Sequence, residues 1–159
     1  EIKMKNKTNA IRILDSKKID YITHDYSDSD AVSGLEVAEY LNQDPNKLYK
    51  TLVTVSKSNK NYVFLVPVSK ELDLKKAAEC VNEKNIEMIK SKDLLALTGY
   101  IHGGCSPIGM KKQFKTVIDS SLNNLEKIIC SAGVIGLQIE LKKEDLQKVI
   151  PYELHDITK

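Results

Sequence analysis

The chain has no tryptophan, only two phenylalanines and only three cysteines in 159 residues. Cys80, Cys105 and Cys130 are an odd number with no close pair, which argues against a disulfide framework or a zinc ribbon. His24, His102 and His155 stand singly, so no His/Cys cluster has metal-ligand spacing and neither a metal nor another cofactor is expected. Long apolar runs are missing too; none approaches the roughly 18 residues of a membrane helix. Residues 4–10, which include Met4, Lys5 and Asn6, lack the apolar stretch and cleavage site of a secretory signal. A cytoplasmic location without a membrane partner is the expectation. Charge of one sign is scarce as well. The net charge of +2 neither recommends nor excludes a nucleic acid, because a local basic face matters more than the total. With no internal repeat, low-complexity stretch or long linker, residues 1–159 suit one domain, long enough to bury a core without staples.

Glycine is concentrated rather than abundant. Residues 98–109, Thr-Gly-Tyr-Ile-His-Gly-Gly-Cys-Ser-Pro-Ile-Gly, hold four glycines and a proline, a composition that suits neither a helix interior nor a strand. Such a loop lets its backbone approach another group, and consecutive N–H groups in it attract an oxyanion, a carbonyl or a phosphate.

Around this loop the periodicity reads as short strands with helices between them, an α/β or α+β class. Thr8 or Asn9 can cap a first helix, and Leu35, Val37, Ala38 and Leu41 make one side of a second. Asp73 can cap a third through Ala77, Ala78 and Val81, and a last helix over 144–150 is stopped by Pro151. Asp44-Pro45 predicts one short turn before Tyr49. Strands are expected over 19–26, 52–55, 62–68, 87–89, 116–118, 127–130 and 136–141.

Several residues can carry chemistry. Lys50 stands at the entrance to an apolar strand, where a packed stem would make it a fixed cation for a phosphate, a ribose oxygen or a developing oxyanion. Ser131, Ala132 and Gly133 end another strand with small residues and a hydroxyl. His102 and Cys105, three apart, invite a thiol–imidazole reading, but no third residue is placed to orient the histidine. No Gly-x-Ser-x-Gly elbow occurs. Lys111, Lys112 and Lys115 follow the glycine loop and could meet a phosphate backbone.

Taken in order, His24-Asp25-Tyr26, Tyr49-Lys50-Thr51-Leu52, the segment 72–76, the loop 98–109 with Lys111-Lys112, and Ser131-Ala132-Gly133 with Gly136-Leu137 resemble the YbaK/EbsC family of bacterial aminoacyl-tRNA deacylases, related to the editing domain of prolyl-tRNA synthetases. The resemblance runs through almost the whole chain. It implies a mixed, barrel-like sheet wrapped by helices and a stand-alone editing activity that releases cysteine mischarged on proline tRNA. By the same resemblance Lys50 is the essential lysine, and Tyr26, Ser33, Thr51, Gly103, Gly104, Ser106, Ser131, Gly133 and Gln138 belong to the substrate pocket. The substrate's own thiol is then the attacking group, which accounts for the lack of a triad. Lys111 and Lys112 would touch the tRNA acceptor end, with prolyl-tRNA synthetase as a further partner.

Three positions depart from the family pattern. Ser33 replaces a large apolar residue, Gln138 an aspartate, and Val134-Ile135 a basic residue before Gly136. They bear on substrate preference and on recognition of the amino group, which Gln138 could still meet through its carbonyl. The competing readings are a non-catalytic tRNA- or synthetase-binding module of the same fold and a small-nucleotide binder. The loop lacks the Gly-Lys-Ser/Thr ending of a nucleotide-binding P-loop.

Overall fold

The computed structural model describes residues 7–159, so residues 4–6, which enter the reading of the N-terminus, lie outside it. Side-chain oxygens fix the helix starts. Helix α1 (Asn9–Ser16) is capped by Thr8, whose Oγ1 accepts from Ile11 N at 3.2 Å and donates to Ala132 O at 2.6 Å. One residue thereby satisfies a free helical N–H and ties the helix to a strand far along the chain. Helix α2 (Gly34–Tyr40) opens on a capping box: Glu36 N donates to Ser33 Oγ at 3.1 Å and Ser33 N to Glu36 Oε1 at 3.0 Å. Helix α3 (Leu74–Cys80) starts on Asp73, whose Oδ1 accepts from Lys75 N and Lys76 N, both at 3.0 Å. Helices α4 (Ser91–Thr98) and α5 (Lys143–Val149) complete the set, α4 ending on Gly99 in the left-handed region at φ 86°.

The strands are β1 (Ile22–Asp25), β2 (Tyr49–Ser56), β3 (Asn61–Pro67), β4 (Ile86–Met88), β5 (Lys115–Asp119), β6 (Lys127–Val134), β7 (Leu137–Lys142) and β8 (Tyr152–His155). They form an antiparallel sheet β1-β7-β6 and a five-stranded sheet β4-β2-β3-β5-β8, in which β3–β5 and β5–β8 are parallel. The expected barrel does not close. The two sheets meet at an isolated parallel bridge, Leu48 with Ile129, supported by Ile129 N donating to Lys47 O at 3.2 Å. Beyond it the strands part for a local reason. The edge of β2 opposite β3 goes to β4 at Thr54–Ser56, while a bulge between Ser131 and Val134, with Gly133 at φ 102°, bends β6 away.

Both faces of β3 are buried, which is why residues 62–66 read as a continuous apolar run. Val63 and Leu65 join the main core with Val53, Ile118, Ile128 and Ile139. Tyr62, Phe64 and Val66 pack on the other face beneath Ala77 and Ala78 of α3. A third cluster, including Tyr26, Val37, Ala38, Leu48, Val68 and Ile129, seats α2 against the junction of the sheets.

Asp44-Pro45 makes the expected turn, with Asn46 N donating to Asp44 Oδ1 at 2.9 Å. The strand expected over 19–26 shrinks to β1, because Ile19 instead enters the main core ahead of it. Helix α4, strand β8 and a 3-10 turn (Ser120–Asn124) were not among the expected elements.

Candidate active site

Where β2 leaves the bridge, the seam between the sheets opens into a cavity of about 480 Å³. β2 supplies Lys50 and Thr51, the β6–β7 pair Ser131 and Gln138, the start of α2 Ser33, and the end of β1 Tyr26. The glycine loop closes the remaining side with His102, Gly103 and Cys105. Seven of the expected pocket residues thus meet in one place: Tyr26, Ser33, Lys50, Thr51, Gly103, Ser131 and Gln138.

Lys50 lies opposite Val66 of β3, and its Nζ is 3.8 Å from Glu71 Oε1. Glu71 is 76% exposed, so this loose pair leaves the ammonium available to an incoming anion. Thr51 Oγ1 is buried without a hydrogen-bond partner. An unpaired buried hydroxyl is uncommon, and a turn of this side chain, which lines the cavity, would let an occupant satisfy it. Ser131 Oγ accepts from Gly133 N at 3.1 Å, which leaves the hydroxyl proton free to donate.

The glycine loop works differently from expectation. Gly104 N–H is consumed in a turn, donating to Ile101 O at 3.0 Å, so it cannot join Gly103 in holding a carbonyl oxygen. The N–H groups of Gly103 and Cys105, which flank it and line the cavity, have no partner among the described residues. Gly104 serves packing instead: a Cβ there would meet Ile135 N at 2.9 Å and Val134 C at 3.0 Å. Ser106 is fully buried, its Oγ accepting from Ile108 N at 3.2 Å, and it does not line the cavity. Gly133 also stands behind the wall, where a Cβ would strike Tyr100 Cε1 at 2.7 Å. Lys111 and Lys112 lie outside the cavity lining, the first with its stem along Gly99 and the second with Nζ 6.0 Å from the Phe114 ring centre.

Burial pushes the Cys105 thiol up to about 11, so near neutral pH it is a thiol and not a thiolate nucleophile. His102 has no hydrogen-bond partner among the described residues to orient it. Among those residues no group of three or more His, Cys, Asp or Glu side chains is disposed to hold a metal. Sequence reasoning missed the apolar wall of Met88, Ile89 and Leu94, carried by the three-residue β4 and by α4. It also weighed His102 and Cys105 only as a nucleophile pair, although their place beside Gly103 already put them at the pocket.

The model of the aminoacyl-tRNA editing domain matches residues 29–149. Over 157 residues the chain is 43% identical to EbsC of Enterococcus faecalis (strain ATCC 700802 / V583), covering 98% of this chain and 96% of that protein. The chain belongs to the aminoacyl-tRNA editing family. EbsC is provisionally named a Cys-tRNA(Pro)/Cys-tRNA(Cys) deacylase. Solved structures share the editing-domain fold at low identity. One, provisionally described as a trans-editing enzyme for prolyl tRNA synthetase, superimposes with TM-score 0.82 at 19% identity, covering 97% of this chain and 99% of that one. The hypothetical protein APE2540 superimposes with TM-score 0.86 at 17% identity, covering 96% and 100%.

Two of the departures take on a structural meaning in this editing domain. The Ser33 hydroxyl is committed to capping α2, and Gly34 beside it has no room for a side chain, since a Cβ would lie 2.4 Å from Val68 Cγ1. The Gln138 carbonyl, expected to meet an amino group, already accepts from Gln43 Nε2 at 2.8 Å. Among the described residues no helix is long and apolar enough to cross a membrane.

Proposed function

We propose that this editing domain, taken as one unit across its 159 residues, is a cytoplasmic, trans-acting deacylase whose preferred substrate is cysteinyl-tRNA(Pro). The observation that carries the reading is the meeting of Lys50, Thr51, Gly103 and Ser131 in one cavity, in a chain 43% identical to a relative with that provisional name. At about 480 Å³ the cavity falls within the roughly 300–1,000 Å³ range of small-molecule sites. It suits an aminoacylated terminal nucleoside, with the rest of the tRNA outside.

Each polar group then has a task. Lys50 holds the terminal ribose-phosphate, and its pair with Glu71 yields to the anion. The Gly103 and Cys105 N–H groups meet the ester carbonyl oxygen, where negative charge develops. Thr51 and Ser131 hydrogen-bond the ribose hydroxyls. The substrate thiol is the nucleophile: its sulfur bonds to the carbonyl carbon, the ester C–O bond breaks, and the departing ribose oxygen takes up the thiol proton. The protonated Cys105 suits this scheme, since the protein itself offers no thiolate.

Editing by a second site answers a physical limit. Cysteine and proline are so similar in size that a synthetase pocket separates them by only about 1–3 kcal/mol. A net charge of +2 supplies little general affinity for tRNA, so a synthetase such as the prolyl enzyme helps to present the substrate. The test is release of cysteine from Cys-tRNA(Pro) by the wild type and by Lys50→Ala. We expect fast release by the wild type and a loss of at least about 100-fold in a folded variant, the scale of losing one electrostatic stabiliser. An ester left intact by the wild type would move the reading to another aminoacyl-tRNA or to the non-catalytic binding module.

A further inference from the structure

Gln138 is 2% exposed, lies on the central strand of the three-stranded sheet between His24 and Ser131, and forms part of the cavity wall. A carboxamide has two unlike ends, a carbonyl that accepts and an NH2 that donates. Which end faces the cavity therefore decides what the wall can bind. That choice is made from behind. Gln43, which does not line the cavity, donates from Nε2 to Gln138 Oε1 at 2.8 Å, so the Nε2 end of Gln138 is the one left toward the cavity.

Gln43 is itself held in place. It follows α2 and is fixed to that helix by its backbone N, which donates to Ala38 O at 2.8 Å. Its own Oε1 is buried with no partner. If both carboxamides turned over, Gln138 Nε2 would donate to this oxygen and the Gln138 carbonyl would face the cavity. The stranded group would then be a buried NH2, and orphaned N–H groups are rarer in proteins than under-satisfied carbonyls. The balance favours the observed orientation, yet it rests on a single Gln43 atom.

We infer that Gln43 is a positioning residue: by fixing the Gln138 carboxamide with its NH2 inward, it makes this wall a hydrogen-bond donor and so withholds the acceptor that would single out a charged α-ammonium group. The inference rests on the proposed deacylase function. A fixed carboxylate at the position of Gln138 would bind an ammonium; an inward NH2 gives the free amine no such advantage and can also meet the carbonyl of an amine masked by an acyl group.

The test compares Cys-tRNA(Pro) with N-acetyl-Cys-tRNA(Pro), both of which keep the thiol. The reading is the ratio of their kcat/KM values for the wild type, Gln43→Glu, Gln43→Leu, Gln138→Leu and the double variant Gln43→Glu/Gln138→Leu. The introduced carboxylate can only accept, so it turns the Gln138 NH2 outward and its carbonyl inward. Gln43→Glu should shift the ratio toward the free amine by roughly three- to tenfold, the scale of one hydrogen bond. Gln43→Leu should move it the same way by less, and it carries the test if Gln43→Glu does not fold. In the double variant the ratio should match that of Gln138→Leu alone, because Gln43 acts only through Gln138. A folded Gln43 variant with wild-type ratio, or a Gln43→Glu shift that persists when the double variant is compared with Gln138→Leu, overturns the inference while leaving the deacylase reading intact. Failure of the wild type to cleave either ester overturns the deacylase reading and this inference with it.

Discussion

Adjacent glycines in the loop at the cavity have opposite reasons to be glycine. Gly103 sits at φ 86° without crowding, an added Cβ making only ordinary contact with Ile135 Cγ1 at 3.6 Å. Gly104 has no unusual φ but presses on the backbone of Val134 and Ile135. Gly103→Ala should therefore cost about 1–2 kcal/mol, the price of a left-handed alanine, and leave a folded enzyme. Gly104→Ala must displace main chain and should lower the melting temperature further, which thermal unfolding of the two variants will rank. Lys50, Thr51 and Ser131 could be found from the sequence because each sits in a distinctive short segment. Gln43 could not: its partner is 95 residues away, and only the seating of α2 against the junction of the sheets brings the two amides together. The division of labour between Gly103 and Gly104 was equally hidden, since it depends on a turn closed by Ile101.

Helix α2 is the element on which the cavity depends most. Its first turn carries Ser33, Gly34 and Val37 into the wall, and Gln43 hangs from its far end. A helix this short has little intrinsic stability and relies on its cap and its packing. Ser33→Ala should remove about 1 kcal/mol of stability through the lost cap, measurable by urea titration. Because the Ser33 oxygen accepts from Glu36 N and its hydroxyl also bonds the Glu36 carboxylate, the same variant should keep the wild-type ranking among aminoacyl substrates; a changed ranking would show that Ser33 reads the substrate. The caps at Thr8 and Asp73 were legible because a short polar residue precedes an apolar periodic run. Helix α4 was not, for its N-cap position is Lys90, with no side-chain cap bond, and Leu95 is exposed, which blurs the pattern. Strand β8 escaped for another reason: four residues on a parallel edge gain their identity only from β5.

At the scale of the whole molecule, burial ties stability to the protonation of groups far from the surface. Burial raises the Cys105 thiol from its ordinary 9.0 to about 11 and the Cys130 thiol to about 12. It also raises the Tyr49 and Tyr100 hydroxyls from 10.0 to about 12. Each folded value lies above the unfolded one, so the folded state holds these protons more tightly. Their contribution is complete below about pH 9 and is lost as pH climbs through 11 to 12. Melting temperatures should hold steady from about pH 7 to 8.5 and then fall, less steeply in a Cys105→Ala/Cys130→Ala variant. The class of fold was legible because short strands and capped helices alternate. Its open form was not, since the bulge after Ser131 and the lone bridge at Leu48 are long-range facts. That bridge has a mechanical consequence. The cavity's polar groups are shared between two sheets that the main core and this one bridge hold together, so an occupant that gripped Lys50 on one sheet and Ser131 on the other would act as a clasp. Such an occupant would add a second tie across the seam, beside the single bridge.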